Sequence, residues 1–311
     1  MNNRTTPADG ENEAGQTRSG FVALIGAPNA GKSTLVNQLV GTKVSIVTHK
    51  VQTTRALVRG IFIEDQAQIV LVDTPGIFRP KRRLDRAMVT TAWGGAKDAD
   101  IILVLLDSQG GLNENAEALL SSMKDVRQKK VLVLNKVDRV DPPVLLDLAR
   151  KANELVAFDQ TFMISALNGS GCKDLAKYLA ENVPNGPWYY PEDQISDMPM
   201  RQLAAEITRE KLYLRLHEEL PYSSTVETER WEERKDGSVR IEQVIYVERE
   251  SQKKIVLGHK GETIKAIGQS ARKEISEILE QTVHLFLFVK VRENWGNDPE
   301  RYREMGLDFP T

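Results

Sequence analysis

From Phe21 to about Asn182, short runs of consecutive apolar residues alternate with longer stretches in which the apolar positions recur at helical spacing. The runs FVALIG, ALVRGIFIE, AQIVLVD, IILVLLD, VLVLNKVD and TFMISAL have the length and β-branched content of strands. Two of them, IILVLL and VLVLN, are apolar without a break, as strands covered on both faces are. The stretches between them, GKSTLVNQLVG the first, have the pattern of amphipathic helices. Strand followed by helix, repeated, predicts an α/β domain with a mostly parallel sheet and helices on both faces.

The pattern changes after Val183. Pro184, Pro187, Pro191 and Pro199, with Trp188, Tyr189 and Tyr190 among them, predict an extended, exposed linker. Beyond it, MRQLAAEITREKLYLRLHEEL has helical periodicity and stops before Pro221. STVETERWEER and SVRIEQVIYVERE alternate like an antiparallel pair joined at Lys235, Asp236, Gly237 and Ser238. A short apolar segment, a glycine-bounded loop and a long helix follow within KKIVLGHKGETIKAIGQSARKEISEILE, and TVHLFLFVKV closes the pattern as a strand. The second domain is thus expected to be a smaller α+β unit of order α-β-β-α-α-β. The expected division is a loose tail over 1–19, a first domain over 20–183, a linker over 184–199, a second domain over 200–295 and an extension over 296–311.

Length fits this division: 311 residues make two domains at about 150 residues each. The 42 lysines and arginines nearly balance 44 acidic residues, so nucleic-acid binding has to come from a local basic surface, and DNA is not an expected partner. The single cysteine, Cys172, makes no intrachain disulfide and has no histidine at zinc-ligand spacing, which suits a reducing cytoplasm. The longest apolar run, Ile101 to Leu106, is far shorter than the roughly 20 residues that cross a bilayer, and the polar N-terminus lacks the apolar stretch of a signal peptide.

The unusual motifs fall at the ends of predicted strands, where open α/β sheets bind ligands. Gly26, Ala27, Pro28, Asn29, Ala30, Gly31, Lys32 and Ser33, followed by Thr34, match G-x-x-x-x-G-K-[ST] between a strand and a helix. Glycines let the backbone wrap phosphates, the loop amides and helix N-terminus attract anions, Lys32 reaches the terminal phosphates and Ser33 suits Mg²⁺. Asp73, Thr74, Pro75 and Gly76 end the strand AQIVLV. Asp73 suits the Mg²⁺ shell, through water, and Gly76 can meet a γ phosphate. Asn135, Lys136, Val137 and Asp138 end another strand, and an aspartate there accepts the N1 and exocyclic-amine hydrogens of guanine, selecting GTP over ATP. Ser165, Ala166 and Leu167 are placed to support the base.

This order of motifs resembles the translation-factor-like GTPases. In that class the loop before the second strand supplies a threonine to Mg²⁺; within VQTTR the assignment is Thr54 rather than Thr53. Ile77 follows DTPG where Ras-like enzymes place a water-orienting glutamine, so Asp73, Gly76 and Ile77 lie nearest the chemistry without an identified catalytic residue, and slow intrinsic hydrolysis is expected. Arg55, Arg79, Lys81, Arg82 and Arg83 are expected to form a solvated basic face.

Gly258, His259, Lys260 and Gly261 form a GxxG loop before a helix, the device by which KH modules clamp an RNA backbone. From Lys253 to Lys273 six basic residues, Lys253, Lys254, Lys260, Lys265, Arg272 and Lys273, face Glu262 alone. Ile255, Val256, Ile264 and Ile267 are candidates to line a groove for bases or to pack a core.

Together, GAPNAGKS, QTTR, DTPG with an apolar successor, NKVD, SAL and the domain bearing IVLGHKGETIKAIG resemble the bacterial Era family of GTPases over about residues 20–295. The resemblance implies a P-loop GTPase domain followed by a type II KH domain, GTP, GDP and Mg²⁺ as ligands, and a role in assembly of the small (30S) ribosomal subunit. It implies that the KH domain holds the single-stranded 3′ end of 16S rRNA. It further implies a cytoplasmic protein with some association at the inner membrane face; a monomer is expected. Two rivals are a GTPase serving tRNA modification, whose cofactor or helical domain the chain lacks, and an RNA-binding adaptor that holds GTP without turnover.

Overall fold

The computed structural model describes residues 17–217 and 220–310; the tail expected over 1–19 falls outside this range except for its last three residues. Those are not loose. Strand β1 (Arg18–Gly26) begins there and leads into α1 (Lys32–Val40). Next come β2 (Val58–Glu64), β3 (Ala67–Asp73), α2 (Arg83–Lys97), β4 (Ile101–Asp107), α3 (Glu114–Ser122) and β5 (Lys129–Asn135). The unit closes with α4 (Pro142–Leu155), β6 (Gln160–Ile164) and α5 (Cys172–Asn182). The sheet order is β2-β3-β1-β4-β5-β6, parallel except for β2 against β3.

Strand pleat explains the two cores. Val22, Leu24, Leu103 and Leu105 point to one face, where they meet Leu35 of α1 and Leu175 and Leu179 of α5. Their neighbours Ala23, Ile25, Ile102 and Val104 point to the other, against Leu119 of α3 and Leu148 of α4. Both sets are buried, so the unbroken apolar runs are the sequence form of a strand between two helical layers.

The linker is extended but not free. Ser19 N donates to Pro184 O at 3.0 Å. The buried Gln68 side chain accepts from Tyr189 N and Tyr190 N at 2.9 and 3.0 Å, and Tyr189 packs on Phe21 with ring centroids 4.9 Å apart. Ile61 N donates to Ile195 O at 2.8 Å, which docks the segment against the outer edge of β2. Only Tyr189 of the three aromatic residues is exposed; Trp188 and Tyr190 are half-buried.

The second unit follows the expected order: α6 (Met200–Arg215), β7 (Ser224–Glu233), β8 (Val239–Val247), α7 (Glu250–Leu257), α8 (Glu262–Leu279) and β9 (Val283–Val291). β8 pairs antiparallel with β7 and parallel with β9. Gly237, at φ 78°, completes the turn between β7 and β8. The last residues form a short α9 (Pro299–Glu304) that folds back on the first unit. Trp295, Tyr302 and Leu307 pack against Leu84, Ala87 and Met88 of α2, so the extension ties the two units together.

Candidate nucleotide site and RNA loop

The loop between β1 and α1 has glycine where nothing else fits. A Cβ on Gly31, which sits at φ 97°, would fall 2.1 Å from Asn135 Nδ2, and one on Gly26 would fall 2.8 Å from Leu105 O. Lys32 Nζ donates back to Gly26 O and Ala27 O at 3.0 and 3.1 Å. Burial pushes this amine down to about 8, against the opposing pull of Asp73.

Three oxygen-bearing side chains from three segments meet beside it. Ser33 Oγ lies 2.9 Å from Thr54 Oγ1, and Thr54 Oγ1 lies 3.5 Å from Asp73 Oδ2, which also accepts from Ser45 Oγ at 2.7 Å. Asp73 is fully buried and its Oδ1 has no partner. Burial raises its carboxyl above the usual range, opposed by Ser33, Lys32, Ser45 and Thr54. Hard oxygen donors around an unpaired buried carboxylate oxygen fit Mg²⁺. Thr53 also lines the cavity, but its hydroxyl is bonded to Thr48 Oγ1 at 2.6 Å and Lys50 O at 2.8 Å and not to Ser33 or Asp73.

Asn135 joins the phosphate loop to the base side. Its Nδ2 donates to Ala30 O at 2.8 Å and its Oδ1 accepts from Ala166 N at 2.9 Å. Lys136, at φ 67°, lays its amine on Asp107 Oδ2 at 2.6 Å. The Asp138 carboxyl is held below its usual range, chiefly by the Ser165 hydroxyl.

A cavity of about 500 Å³ collects Pro28, Asn29, Gly31, Lys32, Ser33, Thr34, Thr54, Gly76, Asn135, Lys136, Asp138, Ser165, Ala166 and Leu167. Gly26, Ala27, Ala30, Asp73, Thr74, Pro75, Ile77 and Val137 are motif residues that do not line it; Asp73 lies behind the wall, where it accepts from Thr54 and Ser45. Thr74 Oγ1 instead donates to Leu24 O at 2.6 Å in the core. Ile77 N donates to Gly26 O at 3.0 Å while its side chain packs on the Ala23–Ile25 face. His49, Lys50, Gln52 and Asp107 also line the cavity. Asp107, at the end of an apolar strand, carried a positional signal; the other three lie in a loop without one.

The GxxG loop joins α7 to α8. Gly258, at φ 75°, leaves no room for a Cβ, which would fall 2.2 Å from Thr263 Oγ1. His259, Lys260, Lys254 and Lys265 are exposed and Lys253 is half-buried. Of the four apolar groove candidates, Val256 and Ile267 are fully buried in the core, whereas Ile255 is exposed and Ile264 half-buried.

Arg55 departs most from expectation. It is buried, not solvated: its Nη2 donates to Tyr213 OH at 2.9 Å, and the guanidinium lies 5.5 Å from the Trp295 ring centroid. Arg79, Lys81 and Arg82 are exposed, and Arg83 lies 5.0 Å from the Phe309 ring centroid. The loop before β2 is held to α6 by further contacts. Arg209 Nη2 donates to Thr53 O at 2.7 Å, Val47 N to Glu210 Oε1 at 2.9 Å, and Lys43 pairs with Glu210 at 2.7 Å.

Fold and site define a P-loop GTPase domain joined to a KH domain. Residues 21–136 match the family described as 50S ribosome-binding GTPase, and residues 219–296 match the KH domain family. The chain is 93% identical over 311 residues to GTPase Era of Brucella suis biovar 1 (strain 1330), covering all of both chains. It is 77% identical over 294 residues to GTPase Era of Rhizobium meliloti (strain 1021), covering 94% of each. A crystal structure of Era in complex with MgGDPNP and nucleotides 1506–1542 of 16S ribosomal RNA superposes with a TM-score of 0.89 at 38% identity, covering 93% of this chain and 99% of that one. An Aquifex aeolicus Era variant bound to GDP·AlF4⁻ matches with the same TM-score, identity and coverage. The chain belongs to the GTPase Era family.

Proposed function

We propose that this chain is a slow, Mg²⁺-dependent GTPase switch that holds the single-stranded 3′ end of 16S rRNA through its KH domain and acts in assembly of the 30S subunit. The observation that carries this reading is that Ser33 and Thr54, the latter bonded to the buried Asp73, line the same cavity as Asp138. In it, the loop amides from Gly26 to Ser33 and the Lys32 amine receive the phosphates, and Asp138 accepts the two guanine hydrogens. The hydroxyls of Ser33 and Thr54 and, through water, Asp73 hold Mg²⁺, which neutralises charge between the β and γ phosphates. Among the described residues no group of three or more His, Cys, Asp or Glu side chains could hold a metal ion.

Thr54 and Gly76 are the groups that report the γ phosphate. Because Thr53 and Arg55 are bonded to α6, a change at Thr54 reaches the KH domain without an intermediary. His259, Lys260, Lys253, Lys254 and Lys265 meet the RNA backbone at the GxxG loop. A monomer, resident in the cytoplasm with peripheral contact at the inner membrane face, completes the reading and rests on the family. Among the described residues no helix is long and apolar enough to cross a membrane.

Two assays test it. Multiple-turnover phosphate release is measured with and without small subunits, where no release in either condition overturns hydrolysis. RNA is recovered from ribosome-bearing lysate with the native chain and with His259→Asp/Lys260→Asp, under GDP and a non-hydrolysable GTP analogue. Small-subunit rRNA should be recovered by the native chain, change with nucleotide and be lost in the double variant; equal recovery in all lanes overturns the RNA and switch assignments.

A further inference from the structure

The segment that leads into α2 carries charges that its helix does not call for. Arg79, Lys81, Arg82, Arg83 and Arg86 place five cations within eight residues, in a chain whose net charge is −2. Aligned peptide dipoles make the start of a helix positive, so carboxylates stabilise that end and cations do not. Asp85 is the one acidic residue of the first turn, and it is only 3% exposed. Its Oδ2 accepts from Lys81 N and Arg82 N at 3.0 and 2.9 Å, and its Oδ1 accepts from Gln52 Nε2 at 3.2 Å. The carboxylate thus pins the backbone that bears the cations and leaves their side chains uncovered. A local rule broken without a stabilising return marks a place shaped by function.

The patch is open to solvent. Arg79, Lys81, Arg82 and Arg86 are exposed, and among the described residues Arg79, Lys81 and Arg86 have no carboxylate partner. Leu84, Ala87 and Met88 are buried under Trp295, Tyr302 and Leu307, and no large apolar side chain from 79 to 97 is exposed. There is accordingly nothing in the patch to enter a lipid interface. Residues 79–92 include no aromatic ring, and Phe309 of the extension lies under Arg83 at 5.0 Å, so unpaired bases find no surface on which to stack. What remains is firmly mounted, arginine-rich positive charge, which suits phosphate groups. Base-paired RNA presents those groups along its helix while its bases stay stacked inside.

We propose that this basic patch of the GTPase domain is a second RNA-binding surface, one that takes the phosphate backbone of a base-paired stem. It rests on the RNA-binding reading above and adds to the GxxG loop a contact of different chemistry. Backbone contacts fix the orientation of an RNA without reading its sequence.

The test uses the full chain with Mg²⁺ and a non-hydrolysable GTP analogue, and fluorescence anisotropy of two labelled RNAs: a blunt-ended hairpin without a single-stranded tail, and the single-stranded 16S 3′-end oligonucleotide. Arg79→Gln/Lys81→Gln/Arg86→Gln should weaken hairpin binding by about fivefold or more at low salt and make the fall of log affinity with log salt shallower by about two to three, near one for each lost phosphate contact. Oligonucleotide affinity should stay within about twofold. His259→Asp/Lys260→Asp should do the reverse, so that a native chain binding the hairpin but not the oligonucleotide fails the KH reading and keeps this one. The charge-keeping Arg79→Lys/Arg86→Lys should retain the salt dependence. The thermal midpoint of the triple variant should be unchanged or higher, since cations leave the start of α2; a lower midpoint marks a structural role and overturns the proposal. Equal losses for both RNAs overturn it too. So does unchanged hairpin affinity, and if binding to phosphatidylglycerol vesicles is then lost in the triple variant, the patch belongs to a membrane surface.

Discussion

Thr54 and Arg55 are adjacent in the chain and serve different domains. The Thr54 hydroxyl stands 2.9 Å from Ser33 Oγ, and the Arg55 guanidinium donates 2.9 Å to Tyr213 of α6. A single peptide bond thus separates the proposed Mg²⁺ ligand from the residue bonded to the second domain. Thr54→Ala should raise the Mg²⁺ concentration needed for half-maximal binding of a GTP analogue by about tenfold, because the cation loses one of its protein oxygen ligands. Thr53→Ala should leave it within about twofold, because that hydroxyl is spent on Thr48 and Lys50. Titration of Mg²⁺ with a fluorescent nucleotide reads both, and equal effects would contradict the assignment.

Asn135 holds two buried backbone groups, Ala30 O and Ala166 N, that have separate places in the chain. Asn135→Ala should destabilise the nucleotide-free protein by about 2–4 kcal/mol, the effect of leaving buried polar groups unpaired. It should also weaken GDP at least tenfold, since the phosphate loop and the base loop lose their common strut. Urea unfolding with and without GDP measures the two effects.

The two glycines of the GxxG loop should respond differently to alanine. At Gly258 the new methyl would strike Thr263, so Gly258→Ala should cost about 2 kcal/mol or more and abolish RNA capture. At Gly261, with φ 82° and nothing within 4 Å, Gly261→Ala should cost about 1 kcal/mol through backbone strain and leave RNA affinity within about fivefold. Thermal unfolding and anisotropy of a labelled 16S 3′-end oligonucleotide distinguish the pair.

Cys172 is buried on the inner side of α5, and burial pushes its thiol up to about 11 from 9.0. A group whose pKa is raised by folding contributes stability that is complete below its unfolded value and lost as pH climbs through the folded one. The native protein should therefore lose about 3 kcal/mol between pH 9 and 11 relative to Cys172→Ala, by the linkage of proton release to unfolding. Urea midpoints of both chains across that range provide the comparison. Below pH 9, thiol reagents should label the protein only as fast as it unfolds.

The nucleotide motifs were legible because each lies within a few residues at a strand end, where chain direction and loop length fix the geometry. The order of elements in both domains was legible for a similar reason: the apolar period reports which faces are covered. What could not be read depended on partners far along the chain. Arg55 resembles any loop arginine until Tyr213 and Trp295 close over it. The extension beyond residue 295 gave no signal because its partners, Leu84, Ala87 and Met88, lie two hundred residues earlier, on the inner side of α2. Val256 and Ile267 have the composition of groove residues and the positions of core residues, and only packing decides between these.

Strand β2 is the last strand on its side of the six-stranded sheet, and its outer edge meets the linker through Ile61 with Ile195 and Gly60 with Ser196. An uncovered edge in that position is a template for pairing with another molecule. The proline-rich segment covers part of it, and its prolines have no N–H groups to offer a newcomer. The stretch that separates the two domains is thereby also a guard against aggregation. A cut within it would free more than the KH domain; it would expose a sheet edge inclined to join its neighbours.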